Sequence, residues 1–514
     1  MQLPKRVEWA AAAATAILLI LSFPDFEFSS LAWLALVPLM LVVAQRPSPV
    51  TAFILGWFAG TVFFYGSCYW LTYSMIHYGG LPTVVAYLLL IPGAVVVGLF
   101  PGLFAAVLAV VVRRWGPWTV LCAPAMWTAF EWARLGVTGQ LWNALGYSLA
   151  YQRILIQSAN WGGVYAVSFL IVTINATIAL GLLKRTWWTV LAAVVITVVV
   201  AVVILGSPFT RTARPISSDE VHSSVDVIAL QPNVPMTLEK SPEELNALRE
   251  RHLALSKRGL ASPPLNEPYP RLVIWPESPM NFTYASDKTF QDWVAKFARE
   301  NHTSLILNSL EPAGPNAYYN SALLINEDGR MIAQYDKIRL MPFGEYVPLP
   351  HWLPGASLIT ALVGEFTPGD KYTLMPVNEH RVGVFICIES AYPWIARRMA
   401  SEGADVLINI SNDGYLGPTA VMRQHLANAI FRAVENGRPV LRVTNSGVSA
   451  EIDDDGTVRD QTVPFQEDVR HWWLGTPSIE STFYTRHGDL FVHICAAITV
   501  IMFAAALFSR RRSL

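Results

Sequence analysis

Two hydrophobic regimes divide this chain. From residue 9 to 206 apolar runs follow one another with short polar interruptions, and a last run, Leu490 to Phe508, precedes Ser509-Arg-Arg-Arg512. A helix needs about 20 apolar residues to cross a hydrocarbon layer of about 30 Å. The pattern predicts seven membrane spans, near 8–23, 29–45, 51–73, 83–112, 118–136, 159–182 and 187–206, and an eighth near 489–508. The first two are short and need flanking residues to complete them. The fourth holds Pro92 and Pro101 and is expected to tilt, bend or end elsewhere.

Residues 207–487 alternate instead between short apolar runs and polar turns. Ser223 to Leu230, followed by Gln231-Pro-Asn-Val-Pro235, predicts a strand entering a rigid turn, and Pro242 to Lys257 a polar helix. Arg271-Leu-Val-Ile-Trp275 reads as a buried strand. Phe290 to Asn301 reads as a helix with Phe290, Val294 and Phe297 on one side, and Ser304 to Asn308 as a strand. Ser321–Asn326, Asp328-Gly329 and Met331–Tyr335 fit a hairpin. Further strands are expected at 381–386, 405–410, 439–444, 447–452 and 457–463, with helices at 393–402 and 421–436. Strands alternating with helices, plus hairpins, predict a layered α/β domain with a mixed sheet. No glycine-rich dinucleotide fingerprint, phosphate loop or internal repeat is visible.

Charge orients the predicted spans. Lys5 and Arg6, Arg46, Arg113 and Arg114, Lys184 and Arg185, and the terminal arginines fall in alternate connections, the side expected to be cytoplasmic. The connections around Asp25 and Glu27 and around His77 hold no Lys or Arg, and 137–158 has only Arg153. With the N-terminus inside, seven spans deliver 207–487 to the outer side, and the eighth returns the C-terminus. The expected domains are 1–206 in the membrane, 207–487 exported, and 488–514 as a final helix with a basic tail. Leu3 to Ser22 lacks a small-residue cleavage site before Phe23-Pro-Asp-Phe-Glu-Phe28, so it reads as a retained span.

Composition agrees with that division. The 514 residues are 53% hydrophobic and only 15% charged, too apolar for an ordinary soluble protein, and the formal charge of −1 gives no argument for nucleic acid. Of the four cysteines only Cys387 lies in the polar region, which therefore cannot form an internal disulfide. The histidines at 222, 252, 302, 351 and 425 lack close ligand spacing, so no metal is expected.

Three polar residues stand just beyond apolar runs: Glu277, Lys337 and Cys387. Side chains at strand ends are held rigidly yet remain reachable. A thiol with an ordinary pKa near 8.5 needs a base or a cation to act as a nucleophile near neutral pH. Glu277 is suited to take and return its proton, and Lys337 to stabilise a thiolate and a carbonyl-derived oxyanion. Each also has a plainer reading: the thiol as packing, Glu277 as a cap, Lys337 as a solvated charge. Asn409-Ile-Ser-Asn-Asp-Gly414 is a candidate for orienting the cleft. His425 is a weaker candidate base, more simply a helix-face residue.

These residues resemble the nitrilase superfamily, with Glu277 in Trp275-Pro-Glu-Ser278, Lys337 in Tyr335-Asp-Lys337 and Cys387 in Phe385-Ile-Cys-Ile-Glu389. Together with the spans, Leu340-Met-Pro-Phe-Gly-Glu-Tyr-Val-Pro348, Asn409–Gly414, Arg423-Gln-His-Leu426 and Glu435-Asn-Gly-Arg-Pro439 make the whole chain similar to the bacterial apolipoprotein N-acyltransferases. The resemblance implies a multi-span α-helical membrane domain joined to an α-β-β-α sandwich. It implies a catalytic Glu277, Lys337 and Cys387, and Glu345 and Glu389 as supporting carboxylates. It further implies a Cys387 acyl-thioester formed from a membrane phospholipid and passed to the α-amine of a diacylglyceryl-cysteine on an exported lipoprotein. No cofactor is implied. The enzyme is expected as a monomer in the bacterial inner membrane, with its catalytic domain periplasmic and both termini cytoplasmic.

Three places depart from the family pattern. Ile388 follows the nucleophile where an aromatic is usual, Lys240 stands where a lid carries Trp, and Tyr415-Leu416 replaces Trp-Phe. These positions bear on substrate capture and the lid. Two other functions fit parts of the pattern. An exported amidase or nitrile hydrolase would use the same three residues with water, which leaves the spans unexplained. A carrier would need more ionisable residues in its spans than Glu131 and Arg134.

Overall fold

The structure is a computed structural model that describes residues 4–45, 47–139, 141–184, 186, 191, 195–196, 198–200, 202, 225–236, 241–261, 270–277, 282–314, 317–342, 344–346, 366–474 and 481–508. The chain forms two compact units. One comprises Met1–Thr212, Thr419–Glu435 and Thr482–Leu514, the other Ala213–Pro418 and Asn436–Ser481.

In the first unit, four described helices are long and apolar enough to cross a membrane: Pro49–Ser67, Thr83–Trp115, Val164–Lys184 and Leu490–Phe508. The apolar segment at 8–23 forms the 17-residue helix Arg6–Ser22. That at 29–45 divides into a 3-10 turn, Ser29–Trp33, and a short helix, Val37–Ala44. The segment at 118–136 likewise divides into a 3-10 turn, Pro117–Cys122, and the helix Ala123–Thr138. In both, a proline near the helix start supplies a fixed φ where no amide partner is needed. Most of 187–206 lies outside the described residues.

Thr83–Trp115 is one helix that runs through Pro92 and Pro101, beginning with the predicted span and ending three residues beyond it. Its neighbour Pro49–Ser67 packs closely through facing small-residue pairs, Gly56 with Gly60 and Gly98 with Gly102. A Cβ on Gly56 would stand 2.5 Å from the carbonyl oxygen of Pro101, and one on Gly98 would collide with Thr61. Trp57 Nε1 donates across the seam to the Val95 carbonyl at 2.9 Å, giving the proline-interrupted helix an outside partner.

The helix Val421–Asn436 lies within the polar stretch of the sequence, yet through Glu435 it groups with the first unit. Gln424 shows why. Buried to 3% exposure, its side-chain carbonyl accepts from Trp70 Nε1 at 3.0 Å and Trp142 Nε1 at 2.8 Å. Its amide donates to the carbonyls of Pro24 and Ser67, both at 2.9 Å. All its hydrogen-bonding capacity is used. Glu131 accepts from Trp127 Nε1 at 2.9 Å and the Leu145 amide at 2.7 Å, while Arg134 donates to the Trp142 carbonyl at 2.6 Å. These two buried charges thus tie helix to loop.

The second unit holds two six-stranded sheets. The first contains β1 (Val225–Gln231), β2 (Arg271–Ile274), β3 (Thr303–Gly314), β4 (Ala317–Ile325), β5 (Met331–Asp336) and β12 (Asp468–Leu474), ordered β12-β1-β2-β3-β4-β5. The second contains β6 (Leu374–Val377), β7 (His380–Ile386), β8 (Val406–Ser411), β9 (Val440–Thr444), β10 (Ala450–Ile452) and β11 (Val458–Arg459), ordered β11-β10-β9-β8-β7-β6. In each, three parallel strands are extended by antiparallel ones: β1, β2 and β3 in the first, β7, β8 and β9 in the second.

Alternation sorts the two faces of the first sheet. Ile228, Leu230, Val273, Leu305, Leu307, Leu323 and Ile325 join a core with Leu253, Phe290, Val294 and Phe297 of the helices Pro242–Leu260 and Lys288–Asn301. Val227, Leu272, Ile306 and Leu324 are equally buried on the opposite phase. This two-sided burial is why the strands read as continuous apolar runs. Gln231 at the end of β1 links the sheets: its carbonyl accepts from Ser449 at 2.8 Å and Thr462 at 2.6 Å, and its amide donates to the Val463 carbonyl at 2.8 Å.

Candidate active site

Four strands of the second unit stop, and each delivers a polar residue just past its carboxyl end: Glu277 after β2, Lys337 after β5, Cys387 after β7 and Asn412 after β8. Strand direction thus gathers residues distant in sequence at one end of a sandwich.

Lys337 is the centre of the cluster. Its side chain is 1% exposed, and its ammonium lies 3.3 Å from Glu277 Oε1 and 2.9 Å from Glu345. Those two carboxylates outweigh burial and hold its pKa well above the ordinary lysine value. Its backbone amide donates to the Asn320 carbonyl at 2.8 Å, which fixes the turn after β5. Two hydrogen bonds leave one ammonium proton for a further acceptor.

Asn320 is the residue that reading the sequence missed. Its side-chain amide donates to Glu277 Oε1 at 3.0 Å and to Glu345 Oε1 at 2.7 Å, while its carbonyl accepts from Asn308 at 2.7 Å. The one available signal is a polar residue beside Ser321 in an otherwise buried strand, on the phase that faces away from the helix core. Glu277 Oε2 in turn accepts from the Asn412 amide at 3.0 Å, so both oxygens are aimed. Glu345 Oε2 accepts from the Met341 amide at 2.7 Å.

Cys387 is partly exposed and has φ of +54°, a left-handed conformation unfavourable for a residue with a Cβ. It sits where β7 turns into the 3-10 segment Cys387–Ala391. Burial raises the thiol pKa most, followed by the charge of Glu277, with Lys337 opposing and Asp413 and Glu345 adding to the rise. The charges of all four residues therefore converge on the sulfur. The net direction is upward, toward the protonated thiol.

Glu389 holds the elbow. Fully buried, it accepts from the amides of Ile338 at 2.7 Å and Arg339 at 3.1 Å, from Ile386 at 2.7 Å, and from the Tyr335 hydroxyl at 2.9 Å. It thereby ties the turn at Cys387 to the segment carrying Lys337. Burial pushes its pKa up to about 7, against the lowering by its amide donors and Lys337.

Replacing Glu389 with Gln should cost about 1–3 kcal/mol, because Gln offers one acceptor oxygen where both carboxylate oxygens now take amide protons. In the folded chain burial pushes the carboxyl from its ordinary value up to about 7. Between those values the folded chain binds the extra proton, so stability falls as pH rises. Thermal unfolding in detergent should show that slope for wild type, and Glu389→Gln should lack this group's share. An unchanged slope and melting temperature would contradict the assignment.

Behind the site, Arg442 of β9 pairs with Asp413 at 2.6 Å and donates to the Asn409 side chain, all three buried. The Asn409 amide donates to the Phe385 carbonyl at 3.2 Å and reaches the Cys387 carbonyl at 3.5 Å. The polar run at 409–414 thus lies beside the turn at Cys387. Ile388 is buried, and Tyr415 and Leu416 lie half-buried on the 3-10 turn Asp413–Leu416. Lys240 lies outside the described residues. His425 belongs to the first unit, its ring 5.6 Å from that of Trp142.

The aromatic segments near 57–70 are engaged inside the first unit. Trp9 packs on Phe58 at 5.0 Å, Phe23 on Phe63 at 5.3 Å, and Trp70 on Trp142 at 5.2 Å.

Residues 15–177 match the family described as apolipoprotein N-acyltransferase N-terminal domain, and residues 261–475 match carbon-nitrogen hydrolase. An apolipoprotein N-acyltransferase of Geobacter metallireducens is 34% identical over 526 residues, covering 100% of this chain and 97% of the relative. One from Chlorobaculum tepidum is 27% identical over 531 residues, covering 96% of each. A solved nitrilase-superfamily protein of Saccharomyces cerevisiae aligns with a TM-score of 0.38 at 20% identity, covering 59% of this chain and 100% of its own.

Proposed function

Because this chain belongs to the apolipoprotein N-acyltransferase family, a membrane-bound family that N-acylates lipoproteins, we propose that it takes its acyl group from a membrane phospholipid and passes it on through a Cys387 thioester. The observation that carries this reading is the convergence of Glu277, Lys337, Glu345 and Asp413 on one up-shifted thiol at the carboxyl ends of the strands.

In the first half-reaction the Cys387 sulfur bonds to an ester carbonyl carbon as Glu277 takes the thiol proton. The remaining Lys337 proton faces the oxyanion, with the ammonium oriented by Glu345. Collapse breaks the carbon–oxygen bond, and Glu277 returns the proton to the leaving alkoxide, which departs as lysophospholipid. In the second half-reaction the α-amine of a diacylglyceryl-cysteine attacks the thioester carbonyl. The amine loses a proton to Glu277, the carbon–sulfur bond breaks, and the sulfur regains its proton. Glu277 serves as base and acid in turn, and Glu389 and Asn320 position the groups that react.

A membrane location suits both partners, since each buried methylene of an acyl chain contributes about 0.8 kcal/mol. On this reading residues 1–206 and 488–514 anchor the enzyme as a monomer in the bacterial inner membrane. The domain at 207–487 is periplasmic, the termini are cytoplasmic, and Ile388, Tyr415 and Leu416 border the substrate path.

Incubation of the full-length protein with labelled phospholipid should give an acyl group on Cys387 that is released by hydroxylamine. Addition of a diacylglyceryl-cysteine peptide should convert it to N-acylated peptide. Free fatty acid as the main product would favour a hydrolase, and no adduct on an active preparation would refute the thioester.

A further inference from the structure

Two residues beyond Lys337 stands a second cation, and it faces solvent. Arg339 is exposed, while its backbone amide is anchored on Glu389 Oε1 at 3.1 Å. Its guanidinium carbon lies 5.2 Å from the centre of the Trp394 ring and 5.9 Å from that of Tyr392. The two rings meet edge to face at 5.1 Å. Arg249, Arg398, Arg442, Arg459 and Arg470 of the same unit each pair with a carboxylate. Arg339 has no such partner among the described residues.

Through its backbone amide Arg339 is tied to Glu389, which stands two residues past Cys387. Tyr392 caps the 3-10 segment that begins at Cys387. The charges of Arg339 and Lys337 both act on the Tyr392 phenol. Aromatic faces hold a guanidinium in one orientation, and its planar fork matches two phosphate oxygens.

We propose that Arg339, oriented by Trp394 and Tyr392, binds the phosphodiester of the acyl donor and sets the preference for phosphate-bearing donors. This rests on the phospholipid-donor reading above. The diacylglyceryl-cysteine acceptor carries no phosphate, so Arg339 acts in enzyme acylation and not in transfer to the amine.

The test uses full-length wild type, Arg339→Gln and Arg339→Lys in detergent micelles. Acylation is followed with phosphatidylglycerol, with phosphatidylethanolamine, and with p-nitrophenyl palmitate, which lacks phosphate. Arg339→Gln should lower kcat/KM for both phospholipids about tenfold, chiefly through KM, as expected for one lost charge-assisted contact. Its rate with the nitrophenyl ester should stay within about twofold of wild type, and Arg339→Lys should recover part of the loss. Deacylation of preformed acyl-enzyme by the acceptor peptide should not change. Equal losses with all three donors, or no loss with the phospholipids, overturns the assignment while leaving the phospholipid reading standing. If wild type reacts with the nitrophenyl ester but with neither phospholipid, the donor reading fails and this inference with it.

Discussion

Cys387→Ala will form no acyl adduct from any donor and will lower N-acylation on the order of 10⁴-fold or more, since no other described group replaces the sulfur. Glu277→Gln makes the sharper companion because its two effects have opposite signs. The Glu277 charge is the largest electrostatic contribution raising the thiol pKa. Removing it should make Cys387 more acidic and speed alkylation by iodoacetamide at a fixed alkaline pH. The same change deletes the proton acceptor and should slow acylation roughly 10³-fold. Faster alkylation with slower acylation identifies Glu277 as the base. If both rates fall together, Glu277 is a structural residue, and if acylation persists, proton transfer runs through another group.

Lys337→Met should be damaging in a different way. The ammonium is shared by Glu277 at 3.3 Å and Glu345 at 2.9 Å, with all three side chains largely removed from solvent. Deleting it leaves two carboxylates facing one another without compensation, a loss of about 3–5 kcal/mol. The same deletion takes away the charge that opposes the upward shift of the thiol and the donor for the oxyanion. The double variant Lys337→Met, Glu345→Gln removes one of the repelling charges, so thermal stability should recover in part while acylation stays lost. Recovery of activity together with stability would make Lys337 a structural counter-ion and nothing more.

The legibility of the fold followed burial. Strands covered on both faces, such as β2, β7 and β8, read as apolar runs and were placed within a residue or two of their ends. β12, with Asp468, Arg470 and His471 in its sequence, has no such run and became a strand only through antiparallel pairing along β1. β6 is a short edge strand with Pro376 inside it and escaped notice for the same reason. The second half of β3 carries Glu311, Pro312 and Gly314, and the sequence reading stopped short of it at Asn308. The predicted strand at 457–463 is reduced to Val458–Arg459.

The candidate site divides along a similar line. Glu277, Lys337 and Cys387 could be picked out because each is a chemically able residue at the end of an apolar run, and their order in the chain matched a family pattern. Asn320 and Arg442 could not, since their importance lies in partners rather than in local pattern, whereas Asn412 falls in the run 409–414 expected to orient the cleft and only its partner was hidden. Asn320 reaches Glu277 across 43 positions, and Asn412 reaches it across 135. Glu389 was legible as a supporting carboxylate, but the supports are backbone amides 50 and 51 residues away.

By itself, then, the sequence determined where this protein is apolar throughout, where it alternates, and which side chains have the chemistry to move an acyl group. Those properties are local: hydropathy and strand period act within a few residues, and nucleophilicity belongs to the sulfur. The tertiary structure decided the rest. Strands ending on one side bring the charges of Glu277, Lys337, Glu345 and Asp413 to bear on Cys387, and burial pushes that thiol up. It also drew the helix Val421–Asn436 out of the polar stretch through the four hydrogen bonds of Gln424. Coulomb energy and desolvation depend on distance and surroundings in three dimensions, and neither can be read from positions along a chain.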